Sequence, residues 1–207
     1  MSPSEAMDAG GRPIITIRGE RVGLGPLRRD LLETVHVRWG NDLAAGLMQG
    51  GVGFGTSAHS QRFFEHRTSN ADIQEFLIYE LETLQPIGAA NLHEINLAER
   101  SAEIAWNIME HEHRRKGFGA EATRLTLDFA FTALGLHRVQ AEVFAYNEPS
   151  IQLAHKVGFR AVGRLREARW AGDRYWDVLL FDMLQQEFES PVLARSELSF
   201  LRDPGES

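Results

Sequence analysis

The sequence predicts an α+β fold with one central mixed sheet, mostly antiparallel. Residues 75–109 contain apolar strand-like runs separated by short turns, a pattern typical of an antiparallel meander. In the second half, the predicted elements follow the order strand, helix, strand, helix, and the chain closes with a hairpin. Because the strands and helices do not alternate regularly throughout, we expect an α+β fold and not a parallel α/β sheet.

Composition restricts the class of protein. The chain has 207 residues and 43% hydrophobic residues, as expected for one globular domain. With no cysteine, it has no disulfide, no thiolate nucleophile and no cysteine zinc site. No signal peptide or membrane-crossing run is visible, so we expect a cytoplasmic protein without a membrane partner. The net charge of −7 opposes nucleic-acid binding and mildly favours cationic or amine partners.

The N-terminal part begins with residues 1–12, a small and polar segment that we expect to be flexible. Two short strands follow at 14–17 and 22–27, joined by a turn at Gly19. Apolar residues at helical spacing then predict a helix over 29–47.

A glycine-rich stretch, residues 50–57, resembles a nucleotide P-loop at first sight. It lacks the lysine after the last glycine and follows a helix, not a strand, so we interpret it as a flexible loop. A mobile gate over a substrate pocket is the alternative. The next helix is predicted over 58–67.

The central part contains the predicted meander, with strands at 75–81, 87–93 and 102–109. A strong amphipathic helix is predicted over 120–134, and Gly135 ends it.

The C-terminal part begins with a predicted strand at 138–146 and a short helix at 150–156. A hairpin is predicted from strands at 162–170 and 175–184. We therefore expect one domain over 13–189, followed by a loosely attached polar tail at 190–207.

The stretch 111–122 connects the last strand of the meander to the strong helix. Two glycines at the start of a helix let successive N–H groups point in one direction, and the helix dipole adds positive charge there. Arg114, Arg115 and Lys116 add more charge. Such a turn suits a phosphate or a pyrophosphate.

Residues 117–122 also fit the G-x-G-x-x-A pattern of dinucleotide-binding folds, which makes an NAD(P)-binding oxidoreductase an alternative. Two features count against it. Residues 110–116 separate the glycines from the preceding strand, and no acidic residue ends the next strand. An antiparallel meander also differs from a doubly wound sheet.

A second match to this turn begins at Arg114. The pattern Arg114-x-x-Gly117-x-Gly119, preceded by residues 102–108, resembles motif A of the GNAT superfamily of acyl-CoA-dependent N-acyltransferases. Residues 138–159 resemble the family's fifth strand and the helix after it. The closing hairpin is similar to that of the RimJ/RimL-type branch.

The resemblance implies the GNAT fold, a twisted sheet with helices on both faces. The family's fourth strand, here 102–109, is expected to splay from its fifth, here 138–146, at a bulge. Acetyl-CoA would be the co-substrate, without a metal. The turn would bind its pyrophosphate, mostly through backbone N–H groups, with Arg114, Arg115, Lys116, Gly117, Phe118, Gly119 and Ala120. A solvated charge cluster is the alternative role for the three basic residues.

The resemblance also assigns residues to the rest of the cofactor. Backbone groups of Asn107, Ile108 and Met109 would pair with the pantetheine amides, and one N–H would polarise the thioester carbonyl. Asn147 is placed to bond the cofactor, although helix capping explains this residue nearly as well.

The chemistry requires a base for the amine and a proton for the departing thiolate. Glu103 stands where several GNAT enzymes carry a catalytic glutamate; a cross-strand salt bridge is its structural alternative. Catalysis mainly by positioning is a further alternative. The family's usual tyrosine acid is replaced by Ala154. Relatives can use a serine one turn earlier, and Ser150 lies there, although a serine that opens a helix often has no chemical role.

The expected function is transfer of an acetyl group from acetyl-CoA to a primary amine in a ternary complex. The amine would belong to a protein N-terminus, a polyamine or an amino-bearing metabolite or antibiotic. A non-catalytic acyl-CoA-binding module is the alternative suggested by Ala154. Relatives also suggest a homodimer through the final hairpin. A metal site at His93, His111 and His113 is not expected, since their spacing fits no known motif. The four tryptophans could line an acceptor pocket, but core packing is their usual role.

Overall fold

The computed structural model describes residues 7–8, 10–31, 37–48 and 55–193, and a single mixed sheet runs through it. The sheet has eight strands in the order β1-β2-β3-β4-β5-β6-β8-β7. The strands are β1 Ile17–Arg18, β2 Val22–Pro26, β3 Gln74–Glu80, β4 Pro86–Asn96, β5 Ser101–Ile108, β6 Arg138–Phe144, β7 Arg160–Ala171 and β8 Arg174–Leu184. The α-helices are α1 Leu43–Met48, α2 Ser57–Ser69, α3 Phe118–Asp128 and α4 Glu148–Val157.

The predicted meander is confirmed. Strands β2 to β5 pair as consecutive antiparallel neighbours, whereas β5 and β6 form a parallel pair. That parallel pairing ends at Glu103↔Gln140, so the remainder of β5 diverges from β6. The α+β class with its splay is therefore confirmed. The sheet is not the doubly wound parallel sheet of a dinucleotide-binding fold.

Alternating residues of the sheet bury two separate apolar faces. In β3, Phe76 and Ile78 pack with Leu125 of α3, whereas Leu77 and Tyr79 pack with the α1 and α2 side. This is the period-two pattern of a strand that is covered on both faces. Helices therefore lie on both faces of the sheet, as expected.

The strong central helix begins and ends earlier than predicted. Helix α3 starts at Phe118 and gives way after Asp128 to a π-helical turn, Phe129–Ala133. Its apolar stripe predicted the helix correctly but not the π-helical last turn, in which the Thr132 hydroxyl donates to the Asp128 carboxylate. No helix in the described parts of the chain is long and apolar enough to span a lipid bilayer.

The long helix predicted over 29–47 is wrong. A short 3-10 turn at Arg29–Leu31 and turns at 39–41 precede α1, which covers only six residues; 32–36 lie outside the described residues. Side-chain contacts hold the chain in turns here, since the Trp39 indole donates to Glu110 and Asn41 bonds the backbone of Gly55. The glycine-rich stretch lies outside the described residues, apart from 55–57.

The beginning of the predicted tail is attached to the domain. Backbone N–H groups of Val192 and Leu193 donate to the Asp128 carboxylate, and the Ser190 hydroxyl donates to it as well. Asp128 is fully buried, so these bonds replace the hydration that its charge has lost. The expectation of loose attachment is therefore wrong for 190–193. Residues 194–207 lie outside the described residues, as do 1–6 and 9.

Candidate active site

The turn before α3 has the backbone geometry of an anion cradle. Arg115 and Gly117 are both left-handed, with φ of 60° and 89°. Glu121 makes the first helical bond, to the Gly117 carbonyl at 3.1 Å. Among the described residues, the N–H groups of 115–120 have no protein acceptor. Left-handed residues just before a helix let neighbouring N–H groups point towards one side, where an anion fits.

The Arg114 side chain links the turn to the end of β5 by hydrogen bonds. Its Nε donates to the Ile108 carbonyl at 2.8 Å, and Nη2 donates to the Met109 carbonyl at 3.1 Å. The guanidinium therefore joins the end of β5 to the start of the turn. The Arg114 N–H donates to the His111 carbonyl at 3.2 Å, so both its backbone and its side chain bond the protein, and its contact with the pyrophosphate stays a prediction.

Arg21 and Glu121 fasten the other side of the turn. Arg21 donates to the Lys116 carbonyl at 2.9 Å and pairs with Glu121 at 3.2 Å. The Glu121 carboxylate also accepts three backbone N–H groups from Glu20, Arg21 and Val22. Sequence reasoning missed both residues. An acidic residue in the first turn of a helix was the one visible signal, and it did not reveal a partner one hundred residues away.

The end of β5 forms one wall of the gap between β5 and β6. The N–H groups of Met109 and Glu110 both donate to the Ile87 carbonyl, at 2.9 and 3.2 Å, which is the two-to-one pairing of a bulge. Since N–H directions alternate along a strand, the Ile108 N–H points away from β4 towards the gap. Of the three backbone groups assigned to the pantetheine, Ile108 is therefore the one oriented for it.

Two glycines allow close approach around this gap. A Cβ on Gly88 would lie 2.1 Å from the Asn107 carbonyl oxygen, so β4 can approach the bulge only with a glycine there. A Cβ on Gly119 would lie 2.9 Å from Leu153 and 3.5 Å from Ile108. The turn, the end of β5 and helix α4 therefore adjoin one another.

Glu103 lies on β5 opposite His93 of β4. Its carboxylate is 3.4 Å from His93 Nε2, and Gln140 of β6 donates to it at 3.4 Å. Burial works against ionisation of Glu103, but the hydrogen bond and charge of His93 outweigh it, so the pKa of Glu103 is lowered. Glu103 is thus an ionised carboxylate, as a base requires. It also makes the cross-strand contact that was the structural alternative.

A buried ion pair, Glu75 and Arg67, lies between Glu103 and helix α2. Glu75 of β3 lies opposite Asn91 of β4, and Arg67 of α2 is 3.1 Å from the Glu75 carboxylate. Burial raises the pKa of Glu75 to about 7, while the nearby Arg67 charge opposes the shift. Sequence reasoning also missed this pair, because neither residue belongs to a motif.

Helix α4 begins at the far side of the gap. Asn147 caps it by accepting from the Ser150 N–H, and its amide donates to the Met48 carbonyl. Both polar ends of Asn147 therefore serve the protein, as the capping alternative expected. Ser150 is half-buried in the first turn. Ala154 is fully buried in the core, so that position offers no proton donor.

The three histidines considered for a metal lie apart from one another. His93 faces Glu103, His111 contacts Asp42 at 3.1 Å, and His113 contacts Glu80 at 3.5 Å. Within the described residues, no three His, Asp or Glu side chains converge as a metal site would require.

The tryptophans do not form one pocket. Trp39 is in the core, and Trp106 packs against Phe159 with ring centroids 6.1 Å apart. Trp170 is 62% exposed at the sheet edge. Trp176 contacts the Tyr146 ring edge to face.

The family model of the acetyltransferase (GNAT) domain matches residues 21–160. That range contains the turn, the bulge, Glu103 and α4. The chain therefore belongs to the GNAT acetyltransferase family, and the resemblance derived from motif A is confirmed.

Two relatives match about half of this chain. The chain is 37% identical over 111 residues to spermidine N(1)-acetyltransferase of Vibrio cholerae, which covers 54% of this chain and 61% of the relative. It is 35% identical over 113 residues to the uncharacterized N-acetyltransferase p20 of Bacillus licheniformis, covering 55% and 63%. The matches thus span about three-fifths of the length of these relatives.

Solved structures extend the similarity to the whole domain. The spermidine N-acetyltransferase from Vibrio cholerae in complex with CoA and spermine has a TM-score of 0.76 and 26% identity, covering 82% of this chain and 98% of that one. Mycobacterium smegmatis RimJ in complex with CoA-disulfide shares the fold with a TM-score of 0.74, 23% identity and coverage of 82% and 85%.

Proposed function

We propose that the protein transfers the acetyl group of acetyl-CoA to a primary amine by direct attack in a ternary complex. One observation carries this proposal. The N–H groups of 115–120 have no protein acceptor among the described residues, and through Gly119 the turn adjoins the gap between β5 and β6. A diphosphate held by those groups would direct the attached thioester into the gap. Family membership and CoA-bound structural neighbours support the same ligand.

The residues of the turn would divide the work of binding. Backbone N–H groups of Gly117 to Ala120 would bond the diphosphate oxygens, and Arg115 and Lys116 would add charge. The Ile108 N–H would polarise the thioester carbonyl. Arg114 would act indirectly, by holding the bulge that orients Ile108.

Glu103 would accept a proton from the incoming ammonium group. Its lowered pKa keeps it ionised at neutral pH. The free amine then attacks the thioester carbon, a C–N bond forms, the C–S bond breaks, and the thiolate takes a proton. Ser150 is the candidate donor of that proton, because Ala154 provides none. The second proton of the amine nitrogen, lost as the amide forms, would replace it on the Ser150 hydroxyl.

A polycationic amine is the acceptor class that the charges favour. Glu142 of β6 has a raised pKa, caused first by burial and next by the negative charge of Glu103. A cationic acceptor would relieve the repulsion between these two carboxylates. The spermidine acetyltransferases among the relatives support a polyamine. Peptide N-termini and amino-bearing metabolites are the competing acceptors.

Calorimetry and a thiol-release assay test the proposal. Acetyl-CoA should bind and NADP should not, and spermidine should release CoA thiol faster than a peptide with a free N-terminus. Glu103→Gln should slow turnover mainly below the pKa of the free amine, whereas the exposed control Glu99→Gln should not. Binding of acetyl-CoA with no thiol release across an amine panel would establish instead a non-catalytic binding module, the alternative that buried Ala154 favours.

We also propose that two copies associate through the hairpin of β7 and β8. Strand β7 forms the edge of the sheet and is exposed along almost its whole length, including Val162, Leu165 and Trp170. A long exposed edge with apolar side chains suits association. A relative from Vibrio cholerae has a dodecameric structure. Light scattering should show an oligomer that Leu165→Lys weakens; a monomeric wild type would refute the proposal.

A further inference from the structure

We propose that His93 is a positioning residue that holds the Glu103 carboxylate and takes up the proton that Glu103 removes from the acceptor amine. This inference depends on the proposed acetyltransferase function and extends it. Under it, the base is a histidine–carboxylate pair that delivers one proton to solvent in each turnover.

The hydrogen bonds of His93 determine where its protons lie. Nδ1 is 3.1 Å from Asn91 Oδ1, and Nε2 is 3.4 Å from Glu103 Oε1. An amide oxygen only accepts hydrogen bonds, so Nδ1 carries the hydrogen in this contact. A neutral imidazole then presents the Nε2 lone pair to the carboxylate. The pair can therefore hold one proton between Nε2 and the carboxylate. With that proton in place, His93 is an imidazolium whose charge lowers the pKa of Glu103; without it, the pair is ready to receive one.

The chemistry requires such a proton acceptor. The acceptor enters as R–NH₃⁺ and leaves as the amide R–NH–CO–CH₃, so its nitrogen loses two protons. One proton goes to the sulfur when the C–S bond breaks and CoA leaves as the thiol. The other must reach water. Glu103 would take it from the ammonium group, and the Nε2 lone pair of His93 would receive it from Glu103.

His93 also has a route to solvent. Its side chain is 29% exposed, whereas that of Glu103 is 16% exposed. His93 lines a surface depression of about 420 Å³ between α2 and β4, together with Phe63, His66, Arg67, Asn70, Asp72, Ile73 and Glu94. Water in that depression can receive the proton from an imidazolium at its wall. Glu103 lines neither this depression nor the neighbouring one at 94–97.

Charged groups from every neighbouring strand and from α2 influence the pair. On the α2 side, Arg67 and Glu75 reach His93 through Asn91. From β6 and β7, Glu142 and Arg169 act on Glu103 with opposite signs, and Glu94 of β4 adds negative charge. Gln140 bonds the second carboxylate oxygen, so the first one stays directed at His93. These groups add charge around Glu103 but do not replace either member of the pair.

The test compares pH profiles of turnover with acetyl-CoA and spermidine. His93→Gln keeps a hydrogen-bond donor for Glu103 but cannot take up a proton. His66→Gln is the matched control, because His66 lines the same depression without contacting Glu103. His93→Gln should bind acetyl-CoA within twofold of wild type, while kcat at pH 7.5 falls at least tenfold. The acid limb of kcat should move to lower pH in His93→Gln, because Glu103 would then be the only member of the pair able to take up the proton.

A second variant covers failure of the first to fold. His93→Ala leaves space beside the open depression, and added imidazole should restore turnover at least fivefold. A lower kcat with an unshifted acid limb in His93→Gln, or no imidazole rescue of His93→Ala, would show a merely structural role and overturn the inference. If the wild type binds acetyl-CoA but releases no thiol with any amine, the proposed function fails first and this inference with it. If the wild type does turn over, an unshifted acid limb in His93→Gln or a lack of imidazole rescue in His93→Ala refutes the role of His93 and leaves the proposed function intact.

Discussion

Replacing Gly117 by aspartate tests the turn before α3 directly. Gly117 has φ of 89° and ψ of −4°, a left-handed conformation that asparagine and aspartate tolerate better than other residues. Gly117→Asn and Gly117→Asp therefore share nearly the same size and backbone strain, about 1 kcal/mol. The difference between them isolates one negative charge placed in the proposed diphosphate site.

The size of that difference follows from Coulomb's law. A carboxylate about 5 Å from a phosphate charge, at an effective dielectric constant of about 20, costs about 3 kcal/mol. This corresponds to roughly a hundredfold weaker binding of CoA. Arg21 does not remove the effect entirely. An added Cβ would lie 3.0 Å from its Nη2, but Glu121 and the Lys116 carbonyl already hold that guanidinium.

Calorimetric titration with CoA in low and high salt measures the effect. In dilute buffer, Gly117→Asn should bind within about tenfold of wild type and Gly117→Asp roughly a hundredfold more weakly than Gly117→Asn. At about 1 M salt the Debye length falls to roughly 3 Å, so the gap between the two variants should narrow. Equal CoA affinities of the two variants in dilute buffer would show that the diphosphate does not lie at this turn.

Three further predictions concern stability. Because burial raises the pKa of Glu75 from 4.5 to about 7, the folded state binds this proton more tightly than the unfolded state. The contribution of Glu75 to the free energy of unfolding should thus fall by about 3 kcal/mol as pH rises through that range. Urea unfolding at pH 5 and pH 8 should show that Glu75→Gln removes this pH dependence. An equal change in the free energy of unfolding between the two pH values in wild type and variant would contradict the prediction. Asp128→Ala leaves buried donors unpaired, so it should lower the free energy of unfolding by about 3 kcal/mol and expose residues 190–193 to proteases, with Asp128→Asn milder. Unchanged cleavage would argue against that anchor. Glu121→Ala should lower the free energy of unfolding by about 2 kcal/mol in thermal unfolding, and Glu121→Gln by about half as much, since glutamine keeps the acceptor oxygen. No loss of stability in either variant would disprove that Glu121 holds the backbone of residues 20–22.

Local patterns in the chain predicted most of the strands. The meander follows from alternating runs between short turns, and the start of α4 follows from Asn147 as its cap. The helix predicted over 29–47 is wrong because contacts of Trp39 and Asn41 with distant residues override the helical spacing of the apolar side chains there. Propensity is a weak guide wherever such tertiary contacts dominate.

In the candidate site, too, the sequence predicted local backbone geometry but not the contacts between distant residues. The spacing of Arg114, Gly117 and Gly119 predicted the turn, because backbone geometry there depends on a few adjacent residues. The spacing did not reveal that the Arg114 side chain bonds the carbonyls of Ile108 and Met109 at the end of β5.

The sequence by itself determined the family, the turn and Glu103 as a candidate, since each depends on residues close together in the chain. Only the tertiary structure decided the partners of those residues: His93 beside Glu103, Arg21 and Glu121 around the turn, and the bulge that orients Ile108. The physical reason is that strand register and side-chain pairing join residues from different strands and helices. Those contacts exist only once the whole sheet has formed.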